Sequence, residues 1–120
     1  MSDKVLVAES DANFADLTSE GVVFVDFFAE WCGPCRMMMP RLEEAAIILE
    51  TEGVDAKIVK VDCEKCPNTS SAFKVMSIPT LVVMKDGKMV SNAFGEGFHK
   101  HTGTLDVSKI VEVVKKVANA

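Results

Sequence analysis

The sequence predicts an α/β fold in which one mixed β-sheet of about five strands is flanked by about four helices. Three observations lead to this prediction. A strand, a helix and a second strand follow one another over residues 21–62, and such a βαβ unit makes its two strands parallel. A hairpin pattern covers residues 79–94, and an amphipathic helix follows it. Because helical segments lie both before and after the hairpin, helices should cover both faces of the sheet.

The strands are predicted from apolar runs. A short strand is expected over residues 4–7, and a helix over residues 13–19 follows it. Residues 21–28 (GVVFVDFF) form an almost continuous apolar run rich in Val and Phe, which is typical of a strand buried on both faces. Residues 56–62 (AKIVKVD) form the second strand of the βαβ unit.

The helices are predicted from apolar side chains at helical spacing. Residues 34–50 have this spacing, with charged side chains between the apolar ones,. Pro34 is compatible with the first turn of that helix, whereas Pro40 should kink it. A short helix is expected over residues 67–75, because Pro67 is favoured at a first helical position.

The last third of the chain predicts a hairpin and a final helix. Apolar and polar residues alternate on both sides of Asp86 and Gly87, a pair that favours a tight hairpin turn. Residues 108–120 place Ile110, Val111, Val114 and Val117 on one helical face, and Ser108 is the predicted N-cap.

Composition narrows the class of protein. The chain has 120 residues, enough for one domain over residues 1–120. Its net charge is −5 with no basic cluster, which argues against a nucleic-acid surface. No apolar run approaches the roughly 20 residues that span a bilayer. Residues 1–10 lack the apolar core of a secretory signal, so we expect a cytoplasmic protein.

Two of the four cysteines lie where a thiol becomes reactive. Cys32 follows a buried strand and precedes a helix, and a helix N-terminus stabilises a thiolate and lowers its pKa. Cys35 lies one turn further on and should be less exposed. Cys32 would attack a substrate disulfide, and Cys35 would then attack Cys32 and release the reduced substrate.

Asp26 is the one carboxylate inside the apolar strand. Burial should raise its pKa, and a buried acid below a dithiol can take a proton from the second thiol. Lys60 on the next strand could pair with it across the sheet. The alternative is that Asp26 lies at a bend and is solvated.

Two segments resemble the thioredoxin family: residues 25–40 (VDFFAEWCGPCRMMMP) and residues 77–88 (SIPTLVVMKDGK). The resemblance implies the thioredoxin fold, with Cys32 as nucleophile and Cys35 as resolving thiol. It also implies that Asp26 is a proton acceptor partnered by Lys60, that Pro79 is cis opposite Cys32, and that the backbone of Ile78 pairs with substrate. The implied substrate surface comprises Trp31, Gly33, Pro34, Ile78, Pro79, Thr80 and Gly95, with Gly95 following the last strand.

The resemblance further implies a protein-disulfide reductase that acts in electron transport and cell redox homeostasis. Its partners would be thioredoxin reductase as electron donor and disulfide-containing proteins as substrates. No bound cofactor and no metal are implied, and we expect a monomer that contacts neither nucleic acid nor membrane. A more specialised reductant, an oxidant or an isomerase is a related alternative. It would be selected by the segment over residues 96–106, which is longer than usual in the family.

Cys63 and Cys66 repeat the spacing of the first pair and depart from the family pattern. Cys66 precedes Pro67 and the short predicted helix, which favours thiolate character at Cys66. Both pairs follow parallel strands and so leave the sheet at the same edge. Three interpretations remain open: an auxiliary redox pair, two reduced packing residues, or a zinc or cluster site formed by all four thiols. Residues 36–62 separate the pairs, a longer interval than the about 15–20 residues of usual zinc patterns. The alternative function is therefore a zinc-binding or scaffold protein.

Overall fold

The sheet is built around two long parallel strands. The computed structural model of the protein describes residues 5–120. The elements in chain order are β1 (Val5–Ala8), α1 (Asp11–Leu17), β2 (Val22–Phe28), α2 (Gly33–Thr51), β3 (Ala56–Asp62), α3 (Pro67–Ala72), β4 (Thr80–Lys85), β5 (Lys88–Met89), β6 (His101–Thr102) and α4 (Val107–Ala118). The strand order is β1-β3-β2-β4-β5, and β6 pairs with β4. β1 and β2 both run parallel to β3, and β4 is antiparallel to β2. The α/β fold class is confirmed.

Each face of the sheet is covered by one pair of helices. On one face, α2 and α4 pack on alternate residues of β2, including Val22 and Phe24. On the other face, side chains of α1 and of the segment around α3 pack on Val23, Val25 and Phe27. Side chains alternate along a strand, so Asp26 faces the same side as Phe24. Asp26 therefore lies on the face that α2 covers.

Hydrogen bonds at two helix starts correct the predicted boundaries. α1 begins at Asp11, earlier than predicted, because the Ser10 hydroxyl accepts the backbone N–H of Asn13 at 3.0 Å. The N-cap of α4 is Asp106 and not Ser108, because Asp106 Oδ1 accepts the backbone N–H of Lys109 at 3.0 Å. Residue 4, where the first strand was predicted to begin, lies outside the described residues.

Positive φ angles explain two further boundaries. The turn between β4 and β5 has φ of 51° at Asp86 and 85° at Gly87, as a two-residue hairpin turn of the predicted type requires. α3 ends at Ala72, earlier than predicted, and Lys74 follows it with φ of 54°.

α2 continues through Pro40. Within residues 5–120, none of the helices is both long and apolar enough to cross a membrane.

The segment predicted as a long loop contains a strand. β6 lies inside residues 96–106 and pairs antiparallel with the start of β4, with Thr102 opposite Thr80 and His101 opposite Leu81. This pairing places the chain beside the residue that precedes β4, Pro79. We use the term insertion for residues 90–100, which lie between β5 and β6 and include the start of the segment that was expected to be longer than usual.

Candidate active site

A disulfide joins Cys32 and Cys35 at the start of α2. Cys32 is the N-cap of this helix, and its sulfur accepts the backbone N–H of Cys35 at 3.3 Å. Cys32 is 6% exposed and Cys35 is 3% exposed, so Cys32 is the more accessible of the two. In the reduced pair, the unpaired N–H groups and the dipole of α2 favour a thiolate at Cys32. The predicted position of Cys32 at a helix start is confirmed.

The segment before β4 lies opposite the disulfide. The peptide bond between Ile78 and Pro79 is cis, and the Cys32 sulfur lies 3.8 Å from the carbonyl oxygen of Ile78. Ile78 also packs on the small cluster that contains Ala29 and both cysteines. The backbone carbonyl group of Ile78 thus lies directly beside the Cys32 sulfur.

The glycine beside Pro79 is Gly103 and not the predicted Gly95. Gly103 follows β6, the last strand, and its N–H donates to the carbonyl oxygen of Pro79 at 2.8 Å. Gly95 precedes β6 and lies in a turn in which the N–H of Phe98 donates to its carbonyl oxygen. Gly95 therefore does not follow the last strand, because β6 lies after it in the chain. A substrate contact of Gly95 stays a prediction.

Three of the predicted surface residues are exposed beside the disulfide. The Trp31 side chain is 66% exposed, and Gly33 and Pro34 are also exposed. A side chain carbon added at Gly33 would meet no atom within 4 Å, so the surface is open there. The Trp31 indole N–H donates to Glu64 Oε2 at 3.4 Å. Glu64 was not predicted, although it lies in the loop after β3 that leaves the sheet at this edge.

Thr80 does not contribute a side chain to this surface. It is 2% exposed, and its hydroxyl donates to the carbonyl oxygen of Ser77. That hydrogen bond closes the turn that precedes β4. The Thr80 side chain therefore stabilises the turn beside the site, and a contact of Thr80 with substrate stays a prediction.

Asp26 is buried below the disulfide on the face that α2 covers. It is 1% exposed, and neither carboxylate oxygen accepts a hydrogen bond from any of residues 5–120. Burial raises the pKa of Asp26 to about 7, and the positive charge of Lys60 offsets part of this rise. The alternative of a solvated Asp26 at a bend is wrong. A carboxyl group with this pKa exchanges protons near neutral pH.

Lys60 is opposite Asp26 in the register of β2 and β3. Its ammonium group stands over the ring of Phe28, 5.1 Å from the ring centroid, which is a cation–π distance. Within residues 5–120 no ion pair joins it to Asp26, so its charge acts on the carboxylate through space.

Lys60→Met is expected to raise the pKa of Asp26 further. The substitution keeps most of the side chain's apolar length but removes the charge that lowers this pKa,. A carbon-13 NMR titration of the Asp26 carboxyl group measures the change. Lys57→Met is the matched control, because residues 57 and 60 lie on opposite faces of β3. Equal Asp26 titration curves for parent and Lys60→Met would contradict the prediction.

Comparison with known proteins decides the family. The sequence model described as "Thioredoxin" matches residues 5–115. The chain belongs to the thioredoxin family. Thioredoxin from Listeria monocytogenes is 52% identical over 86 residues, which cover 72% of this chain and 81% of the relative. Thioredoxin from Bacillus subtilis is 48% identical over 91 residues, covering 75% and 84%.

Solved structures agree with this assignment. A mutant thioredoxin from Halobacterium salinarum superposes with a TM-score of 0.77 at 30% identity, covering 97% of this chain and 93% of the other. A thioredoxin from Malassezia sympodialis gives 0.74 at 28% identity, with coverage of 95% and 93%. The thioredoxin fold is confirmed. With the Cys32–Cys35 disulfide, family membership makes this protein a thiol-disulfide oxidoreductase that works by dithiol–disulfide exchange.

The second cysteine pair packs separately from the first. Cys63 and Cys66 are free thiols and belong to the core on the α1 and α3 face. Cys32 and Cys35 form a different cluster. Cys66 is fully buried, and its S–H donates to the carbonyl oxygen of Ala8 at 3.7 Å.

Burial, reinforced by nearby acids that include Asp62, raises the pKa of both the Cys63 and the Cys66 thiols. The expectation of thiolate character at Cys66 is therefore wrong: desolvation outweighs its position before a short helix. An auxiliary redox role for Cys63 and Cys66 stays a prediction.

The oxidised protein is expected to retain two thiols, and Cys66 should react with iodoacetamide only after unfolding. Cys63 is half-buried whereas Cys66 is fully buried, and a buried thiol with a raised pKa is a poor nucleophile. Mass spectrometry after timed alkylation, with and without guanidinium, measures both rates. Cys63→Ser supplies the control that assigns the faster modification. Equal native rates at the two positions would contradict the prediction.

The zinc alternative is not supported. In the part of the chain that the structure describes, residues 5–120, no three His, Cys, Asp or Glu side chains converge to hold a metal ion. His99 and His101 each have a backbone partner instead. His99 Nδ1 accepts the N–H of Asn92 at 2.9 Å, and His101 Nε2 lies 2.9 Å from the carbonyl oxygen of Thr104.

Proposed function

We propose that this protein reduces disulfides in other proteins, with Cys32 as the nucleophile and Cys35 as the resolving thiol. The Cys32 thiolate attacks one sulfur of the substrate disulfide, and the other sulfur leaves as a thiolate. Cys35 then attacks Cys32, which releases the reduced substrate and forms the Cys32–Cys35 disulfide. The observation that carries the proposal is the disulfide at the start of α2 beside the Ile78 carbonyl group.

Asp26 is proposed to take the proton that Cys35 must lose before it can attack. Its pKa of about 7 lets the carboxylate accept a proton at neutral pH and release it again afterwards. Its place on the α2 face of β2, with Cys35 in the first turn of α2, supports this role. Lys60 is proposed to assist by lowering the pKa of the carboxyl group.

Substrate is proposed to bind as an extended segment that pairs with the backbone of Ile78 next to the cis peptide bond. The exposed Trp31, Gly33 and Pro34 would supply apolar contacts. This mode relies on backbone groups and apolar surface, so it suits many protein partners.

Thioredoxin reductase is the proposed electron donor, on the basis of family membership. We propose, on the basis of family membership, that the protein acts in the cytoplasm as a monomer.

Insulin reduction tests the proposed function. The protein is expected to accelerate the reduction of insulin by dithiothreitol, seen as precipitation of the released B chain. A thioredoxin reductase with NADPH should replace dithiothreitol as the reductant. Heat-unfolded protein at the same concentration is the control for its free thiols. A folded protein that is no faster than dithiothreitol alone would overturn the proposal.

A further inference from the structure

The inserted segment between β5 and β6 reaches across to the end of α3. Its last residue, Lys100, directs its ammonium group at two backbone carbonyl oxygens. It donates to the oxygen of Phe73 and to the oxygen of Lys74, each at 3.0 Å. Lys100 is half-buried. The contact joins two segments that are distant in sequence, and the sequence pattern did not indicate it.

The end of α3 has a backbone conformation that needs such support. The N–H of Lys74 donates to Ser71 and the N–H of Val75 donates to Ser70, each at 3.0 Å. This pair of bonds is a helix-ending motif in which the left-handed residue is usually glycine. Here Lys74 occupies that position with φ of 54°, which is unfavourable for a residue with a side chain. A cation at a helix C-terminus stabilises the exposed carbonyl groups.

This turn begins the segment that carries the proposed substrate-pairing backbone. Residues 75–77 connect it to Ile78, and among them Met76 is 93% exposed. The far end of the segment is held at Pro79, whose carbonyl oxygen accepts the N–H of Gly103. Residues 100–103 therefore contact both ends of the segment that passes Cys32: Lys100 at its start and Gly103 at its end.

We propose that Lys100 is a positioning residue for disulfide exchange with protein substrates. Its ammonium group fixes the turn at residues 73–74, and that turn presets the Ile78 backbone to pair with an extended substrate beside Cys32. The inference rests on the proposed function and refines it. Lys100 touches neither the substrate nor the reacting sulfurs, and it acts through the loop. Small disulfides need no backbone pairing, so their reduction does not depend on Lys100.

Steady-state kinetics of Lys100→Met test the proposal with two substrates. For insulin, KM is expected to rise about fivefold with kcat within about twofold, because the binding segment is mispositioned while the dithiol is intact. For the small disulfide 5,5′-dithiobis(2-nitrobenzoic acid), the rate should be unchanged. Lys100→Arg should restore the insulin KM, since its guanidinium group can donate to both carbonyl oxygens. Lys88→Met, at an exposed lysine of β5, is the matched control.

A second substitution tests the route through Lys74. Lys74→Gly removes the cost of the left-handed conformation, so adding it to Lys100→Met should return the insulin KM toward the parent value. Thermal unfolding of each variant is measured alongside. The inference is overturned if the parent reduces insulin and Lys100→Met does so with the same KM. An equal loss of rate on both substrates in Lys100→Met also overturns it. A parent that reduces neither substrate overturns the proposed function instead.

Discussion

Cys32→Ser is expected to abolish disulfide reduction, leaving only the rate of dithiothreitol alone. A serine hydroxyl does not ionise near neutral pH, and the thiolate is the species that attacks a disulfide. The N-terminus of α2 stabilises a thiolate at Cys32 but cannot make an alkoxide from serine. Cys35 lies inside the first turn of α2 and is less exposed than Cys32, so we do not expect it to take over the attack on a protein substrate.

Cys35→Ser is expected to stop the reaction after its first step. Cys32 then attacks, but no second thiol is in place to resolve the mixed disulfide. Non-reducing electrophoresis of the variant mixed with insulin should show a covalent adduct, and dithiothreitol should cleave this adduct by reducing its disulfide. Cys63→Ser is the matched control and should turn over normally without an adduct. Normal turnover of Cys35→Ser, or an adduct formed by Cys32→Ser, would reverse the assigned roles.

Much of the fold could be predicted because its strongest signals are local. The apolar run that became β2 and the helical spacing of α2 each specify an element without reference to the rest of the chain. The helical crossover between them then makes β2 and β3 parallel. Boundaries set by a single side chain were less predictable. Asp106 and Ser108 are both good N-cap residues, and only the contact with Lys109 shows which of them begins α4.

The residues of the active site could be predicted where they lie close together in one sequence motif. Cys32 and Cys35 are neighbours in sequence, and Asp26 is conspicuous as an acid in an apolar strand. What the sequence could not show depends on distant contacts. The length of the insertion moved the glycine beside Pro79 to Gly103, and the partner of the Trp31 indole comes from the loop after β3.

The desolvation of Cys66 was missed for a similar reason. A helix start predicts a lower thiol pKa, but the burial that raises it comes from packing against β1 and α1.

Asp26→Asn is expected to stabilise the oxidised protein by about 4 kcal/mol above pH 8. The pKa of this carboxyl group is about 7 in the folded protein, against 3.8 for an unperturbed aspartate. Between these values the folded protein binds more protons than the unfolded chain, so stability falls as pH rises. Above the folded pKa the full cost of a buried carboxylate is present. An uncharged amide of nearly the same shape avoids that cost.

Guanidinium unfolding of parent and Asp26→Asn from pH 4 to pH 9 measures this difference. The two free energies of unfolding should be close near pH 4, where Asp26 is protonated in the folded state, and should diverge as pH rises to about 8. Asp62→Asn is the matched control. Asp62 is also buried, but its Oδ1 accepts the N–H of Glu64 at 2.8 Å, so neutralising it should give no comparable gain. If Asp26→Asn and parent unfold alike at pH 8.5, Asp26 is not a buried charge and could not serve as the proton acceptor proposed for Cys35. If Asp26→Asn is more stable than the parent but reduces insulin more slowly, the buried carboxylate serves the reaction while it destabilises the fold.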